Sequence, residues 1–87
     1  MSEQFASSIK IRNDEAGFLS LWVEPWAEEF KIGPNSELEV EFSGPQAGQL
    51  SVNYSCTGLA VYGFNGSIAK VIKDGTLVWV AHERLML

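Results

Sequence analysis

Residues 36–44, SELEVEFSG, alternate between polar and apolar side chains, and this stretch is the clearest indication of the fold. Such alternation is typical of a β-strand that buries one face and exposes the other. Carboxylates at positions i and i+2 repel one another unless basic residues lie opposite them on a neighbouring strand. We therefore expect a solvated acidic stripe whose charge is balanced by basic residues on neighbouring strands. The alternative is a docking surface for a basic partner. The stripe contains Glu37, Glu39 and Glu41, and its candidate partners are Lys10, Arg12, Lys70 and Lys73.

The same alternation recurs on both sides of this stretch. Residues 9–12 alternate between isoleucine and a basic residue. Residues 49–55, QLSVNYS, place Leu50, Val52 and Tyr54 on one face, which predicts another strand with one buried side. The intervening residues 44–48, GPQAG, have the length of a hairpin connection.

Two dipeptides predict tight turns in the last third of the chain. Asn65-Gly66 and Asp74-Gly75 each separate apolar runs, and these pairs are the strongest short hairpin signals. They predict a meander of three strands near residues 58–64, 67–73 and 76–82. With the earlier strands the total is about seven, which indicates an all-β protein. We expect a single domain over residues 1–87, built as a small antiparallel β-sandwich, a jelly-roll-like unit or a barrel.

Three predicted strands are apolar on both faces, near residues 18–24, 58–64 and 76–82. Strands of this kind are usually covered on both sides, and a short chain has little left to supply a second cover. We therefore predict a homo-oligomer, or a docked protein partner, that covers the second face. The predicted interface residues are Phe18, Trp22, Tyr62, Phe64 and Trp79.

Composition and charge argue against several partners. Eleven acidic and six basic residues give a net charge of −5, whereas nucleic-acid-binding proteins usually display a clustered basic surface. The same charge disfavours an anionic membrane surface, and no apolar run approaches the ~20 residues that span a bilayer. The N-terminal residues lack a signal-peptide pattern, and the single cysteine cannot form an intrachain disulfide. We expect a cytoplasmic protein with no nucleic-acid and no membrane partner.

The residue types needed for catalysis or metal binding are scarce. The chain has one histidine, His82, and one cysteine, Cys56, whereas a structural zinc site needs four ligands. Glycine-rich phosphate loops and hydrolase signatures are also missing from the sequence. Cys56 and His82 could act as nucleophile and base, but a free cysteine in a β-protein is more often a small buried apolar residue. We expect no catalytic residue, no metal and no cofactor, and hence a protein that is not an enzyme.

Residues 24–30, EPWAEEF, allow two interpretations. Pro25 cannot donate to a β-ladder, so the preceding strand should end at Glu24 and resume after a turn through Trp26-Ala27. A short helix starting at Pro25 is a weaker alternative. In the structural interpretation, Trp22 and Trp26 cap the core at a corner and the glutamates face water or bind backbone amides. In the functional interpretation, an indole, that of Trp26, is a platform for a small polar ligand, for example a sugar, a base or a cation. The ligand-binding residues would then be Trp26, Glu24, Glu28 and Glu29.

The segment VEPWAEEF, residues 23–30, resembles a segment of short, uncharacterised bacterial proteins that carry E-P-W-G-E-E-Y or a close variant. Ala27 and Phe30 stand here where those proteins commonly have glycine and tyrosine. The resemblance implies a small all-β fold and no particular activity.

Two functional hypotheses follow from the sequence. The preferred one is a non-catalytic β module that associates with itself or with a protein partner through its second apolar face. The alternative is a domain that binds a small polar ligand at residues 24–30.

Overall fold

The computed structural model describes residues 5–86, and this part of the chain contains eight β-strands and no helix. The strands form two four-stranded sheets, which confirms the predicted all-β class. The sheets pack as an open sandwich and do not close into a barrel. The strands are β1 (Phe5–Arg12), β2 (Leu19–Glu24), β3 (Glu28–Ile32), β4 (Glu37–Gly44), β5 (Ser51–Ser55), β6 (Gly58–Tyr62), β7 (Ile68–Lys73) and β8 (Thr76–Val80).

Sheet A has the strand order β1-β4-β7-β8, and all of its pairs are antiparallel. Strand β4 lies in the middle, with its apolar residues buried and its glutamates on the outer face, as the alternation predicts. In the pairing register each glutamate of the stripe lies opposite a basic residue, as the sequence predicts, although the Arg12 side chain itself bonds to Asp14. The pairs are Glu37 with Arg12, Glu39 with Lys10, and Glu41 with Lys70. Lys73 instead lies opposite Leu38.

Sheet B has the strand order β3-β2-β6-β5. Strands β2 and β3 form an antiparallel hairpin that turns at Pro25, so the strand ends where the sequence predicts and no helix forms there. Strand β2 also pairs with β6, and this pair is parallel. The sequence predicts antiparallel strands and gives no indication of this parallel pair. Gly58 has φ of 134° where β6 begins, and a Cβ there would lie 2.3 Å from the Ser20 carbonyl oxygen. Glycine is therefore required at this close approach of the two strands.

The core lies between the two sheets and contains alternate residues from both. Aliphatic side chains dominate it, and Phe42 is its largest fully buried member. Leu21, Val23 and Val61 come from sheet B, while Val40 and Val71 face them from sheet A.

Two predicted hairpins turn out to be connections between sheets. The chain crosses from β6 in sheet B to β7 in sheet A at Asn65-Gly66, so the predicted three-stranded meander is wrong. GPQAG likewise connects β4 in sheet A with β5 in sheet B. Buried Ser67 stabilises the turn at the first crossing, because its hydroxyl accepts a hydrogen bond from the Phe64 amide and donates one to the Phe64 carbonyl. These bonds satisfy backbone groups that a hairpin ladder would otherwise pair.

The Asp74-Gly75 turn is the hairpin that the sequence predicts. It joins β7 to β8, and its two central residues have positive φ values of 51° and 81°. Positive φ at both positions is characteristic of the type I′ turn, whose twist matches that of paired strands. A second tight hairpin, through Cys56-Thr57 between β5 and β6, was not predicted.

The one-sided burial predicted for residues 49–55 holds for Leu50, which packs against the core, and is wrong for Val52 and Tyr54. Val52 and Tyr54 share the inward face of sheet B with Val61 and Leu59, yet Val52 is 38% and Tyr54 is 82% exposed. Strand β5 is an edge strand, and the opposite sheet does not extend over it.

Within residues 5–86, no helix is long and apolar enough to cross a membrane.

Candidate functional site

The turn between β2 and β3 directs Trp26 into one end of the sandwich. Its ring stacks on Phe42, with 6.2 Å between centroids and 19° between planes. It meets Trp79 edge to face at 6.4 Å, and Phe30 meets Trp79 in the same manner at 5.8 Å. These four rings from both sheets close this end of the core, as the structural interpretation of the corner predicts for Trp26.

The C-terminal segment covers the outer side of Trp26. The indole Nε1 donates a hydrogen bond of 3.0 Å to the Glu83 carbonyl oxygen. Leu85 is buried, and its backbone bonds to Gly66 and Ser67. Met86 is exposed, while Leu87 lies outside the described residues. The apolar chain end thus docks on the core through Leu85.

A cleft of about 480 Å³ remains beside this contact, lined by Pro25, Trp26 and residues 82–86. The predicted ligand-binding glutamates do not line it. The cleft therefore contains only one of the four predicted ligand-binding residues, Trp26. The Nε1 donor of this indole is already bonded to the Glu83 carbonyl oxygen.

The predicted ligand-binding set is divided between two faces of sheet B. Glu24 and Glu29 lie on the outer face. Glu24 is next to Trp22 along β2, and Glu29 lies opposite Trp22 on β3. Glu24 Oε1 also accepts a hydrogen bond of 3.2 Å from the Ala27 amide, which stabilises the turn. Glu28 lies opposite Val23 at the end of the hairpin and is exposed. The carboxylates of Glu24 and Glu29 therefore share a sheet face with Trp22 and not with Trp26.

Glu29 belongs to a polar cluster on this outer face. Its Oε2 accepts hydrogen bonds from the Ser20 hydroxyl at 3.0 Å and from the Lys31 ammonium at 3.0 Å. Lys31 Nζ also lies 2.7 Å from Ser20 Oγ. The Lys31 and Ser20 hydrogen bonds lower the pKa of Glu29, because both stabilise the ionised carboxylate.

The five predicted interface residues do not form one surface. Phe64 is buried in the core, and Trp79 packs against the core from the inner face of β8, so neither lies on an outer sheet face. Phe18 is exposed in the loop before β2. Only Trp22 and Tyr62 share an outer face, that of sheet B.

An exposed apolar strip runs along β8 instead. Leu77, Val78 and Val80 are each about half exposed, and β8 is an edge strand of sheet A. Val80 lies opposite Lys70 and Leu77 opposite Ile72, which places both on the outer face, and a bulge interrupts the pairing between them. The sequence indicated an apolar surplus in this strand but assigned Trp79 to its exposed side.

Asn13 is a buried polar residue that the sequence did not single out. Its Nδ2 donates to the carbonyls of Gly17 and Ile32, and its Oδ1 accepts from the Glu15 amide. The side chain thereby fixes the loop between β1 and β2 to the end of β3. An Asn-Asp pair between a strand and a polar loop is the available signal for such a role.

The residues considered for catalysis follow strands of different sheets. Cys56 is exposed in the turn between β5 and β6 of sheet B, which corrects the expectation of a buried thiol, and exposed His82 follows β8 of sheet A. Within residues 5–86, no group of three or more His, Cys, Asp or Glu side chains is arranged to hold a metal ion.

Comparison of the chain with protein-family models, with curated proteins and with solved structures found no match.

Proposed function

We propose that this protein is a non-catalytic β module that associates with a second copy of itself through the free edge of β8. The observation that carries the proposal is the composition of the four edge strands. Strands β1 and β3 contain charged residues, and β5 alternates Ser51, Asn53 and Ser55 with its apolar residues. Strand β8 contains four consecutive apolar residues and no charge.

An uncharged edge strand is a template for pairing. Within residues 5–86 no strand pairs with the outward side of β8, and proteins commonly protect such edges with charged residues, proline or a bulge. Strand β8 has neither charge nor proline, and its one protective feature is the bulge between Leu77 and Val80. Strand β5 is also uncharged but differs from β8 by its alternating serine and asparagine residues. Antiparallel pairing of β8 with the same strand of a second copy would place identical apolar residues on both sides of a two-fold axis. Leu77 and Val80 of both copies would then form one strip on a continuous sheet.

The expected association is weak because the interface is small. A single five-residue edge buries less than the ~1,000 Å² of a stable complex. The net charge of −5 on each copy opposes association further. We therefore expect a dissociation constant on the order of tens of micromolar, with a dimer population that rises with protein concentration.

The test compares lysine substitutions on two edges by sedimentation velocity over a concentration series. Val80→Lys adds a charge to β8, and Val52→Lys makes the same change on β5 at a valine of similar exposure, 43% against 38%. We expect the parent and Val52→Lys to dimerise as concentration rises and Val80→Lys to remain monomeric.

Tyr62→Lys tests the interface that the sequence predicts on the other sheet. Loss of the dimer in Tyr62→Lys with retention in Val80→Lys would move the interface to the outer face of sheet B. A parent protein that stays monomeric up to about 1 mM would refute self-association. Its association free energy would then be weaker than about −4 kcal/mol.

A further inference from the structure

The outer face of sheet B carries two aromatic residues among polar side chains. The pairing register aligns Glu29, Trp22, Ala60 and Asn53 in one row across the four strands. The adjacent row contains Glu24, Tyr62 and Ser51, so Tyr62 is the diagonal neighbour of Trp22. Trp22 is half-buried and Tyr62 is 37% exposed.

Ala60 lies next to the aromatic pair on this face. It stands between Trp22 and Asn53 in the row, and its side chain is the smallest of the four. Diagonal neighbours on one sheet face are about 7–8 Å apart, which is within reach of two aromatic rings that contact one extended ligand. A flat ligand with apolar C–H faces suits this spacing, because aromatic faces carry negative potential and attract such hydrogens.

The polar side chains around the rings are suited to hydroxyl groups. Ser20 and Lys31 hold the Glu29 carboxylate through a single oxygen, Oε2, which fixes an ionised acceptor beside Trp22. On the other side, Asn53 and Ser51 are exposed and offer both donors and acceptors. Donors and acceptors therefore flank the aromatic pair on both sides, which is the arrangement that a ligand rich in hydroxyl groups requires.

The charges of this face select against other ligands. Two carboxylates, Glu24 and Glu29, accompany one ammonium, Lys31, so the face disfavours nucleic acids and other polyanions. Ala60 is the sole aliphatic side chain in these two rows, whereas the cores of protein interfaces are more apolar. We propose that the outer face of sheet B binds a neutral carbohydrate chain, with Trp22 and Tyr62 stacking on its sugar rings.

This proposal is independent of the proposed self-association, because the β8 edge belongs to the other sheet. The probes are four neutral hexasaccharides, namely cellohexaose, laminarihexaose, maltohexaose and N-acetylchitohexaose, added to the ¹⁵N-labelled protein and followed by NMR. We expect at least one of them to bind with a dissociation constant on the order of 1 mM or tighter. Amide shifts should concentrate at Trp22, Ala60, Tyr62 and Asn53.

Substitutions then separate the aromatic pair from exposed aromatic residues in general. Tyr62→Ala and Trp22→Ala should each weaken binding by about tenfold or more, the effect of one lost aromatic contact. Tyr54→Ala removes an even more exposed tyrosine from the opposite face of sheet B and should leave binding unchanged. Should Trp22→Ala fail to fold, Tyr62→Ala still decides, because its ring lies partly in solvent.

Three results would overturn the proposal. The first is the absence of shifts with all four hexasaccharides at about 10 mM, a concentration that detects even millimolar binding. The second is a set of shifts centred on the cleft at Trp26. The third is binding that Tyr62→Ala leaves intact.

Discussion

Replacing Trp26 and Trp22 separately by alanine tests whether the corner at residues 24–30 is structural. The sequence grouped the two tryptophans as caps of one core, whereas the structure separates them. Trp26 contacts Phe42 and Trp79 inside the sandwich, and Trp22 lies half-buried on the outer face of sheet B. We therefore expect Trp26→Ala to destabilise the fold more than Trp22→Ala does.

The size of the effect follows from burial and bonding. A fully buried aromatic side chain removes about 200 Å² from water, which is worth about 5 kcal/mol at 25 cal/mol/Å². Trp26 is partly buried, so about half of this applies. The hydrogen bond to Glu83 adds roughly 1 kcal/mol. With a contribution from the ring contacts, Trp26→Ala should cost about 4 kcal/mol. Trp22 is buried to a similar extent, and its burial alone gives about 2.5 kcal/mol for Trp22→Ala.

Urea denaturation followed by far-UV circular dichroism measures both changes. For a domain of this size the m-value is about 1 kcal/mol/M, so the midpoint should fall by about 4 M for Trp26→Ala and by about 2.5 M for Trp22→Ala. The experiment should be run at low protein concentration, since a dimer would add stability. Trp26→Phe keeps a ring on Phe42 but loses the bond to Glu83, and should recover about half of the loss.

Two outcomes would refute this reasoning. If Trp22→Ala is the more damaging change, the outer face of sheet B is covered in solution and Trp22 is part of an interface. If Trp26→Ala is as stable as the parent, the four-ring cluster does not hold the end of the sandwich together.

Two further predictions concern polar residues. Asn13→Ala should cost about 2–3 kcal/mol in urea denaturation, because it removes three side-chain hydrogen bonds at a buried site, whereas exposed Asn53→Ala should stay within about 0.5 kcal/mol of the parent. Equal effects of the two substitutions would contradict this. Lys31→Met should raise the pKa of Glu29 towards its ordinary value, as measured by an NMR titration of the carboxyl carbon. Because folding lowers this pKa, the stabilisation by Glu29 is present above its unfolded-state pKa and is lost as pH falls through the folded pKa, so the stability difference between parent and Lys31→Met should shrink in acid. An unchanged titration would show that Lys31 does not hold Glu29 in solution.

The local features of this protein follow from its amino-acid sequence alone. Alternation in β4 identified which side chains are buried, because successive side chains of a strand point to opposite faces whatever the strand pairs with. Pro25 ended β2 as expected, since proline lacks the donor that a ladder needs. Asp74-Gly75 formed the predicted hairpin because both residues tolerate positive φ. These features depend on a few neighbouring residues and on backbone geometry alone.

The candidate binding surfaces depended on how distant strands assemble. Parallel pairing of β2 with β6 places Trp22 beside Ala60 and Tyr62 near Glu24, and no local pattern specifies that pairing. The edge position of β5 exposes Tyr54, although its alternation is indistinguishable from that of a strand with one buried face.

Trp22 and Trp26 show the same difference between local and tertiary information. Trp22 and Trp26 have the same chemistry and lie four residues apart, so sequence reasoning treated them alike. The β2–β3 turn sends Trp26 between the sheets, while the strand pleat leaves Trp22 on the outer face. Whether a side chain is buried depends on what the opposite sheet covers, and that is decided only when the strands have been ordered into sheets.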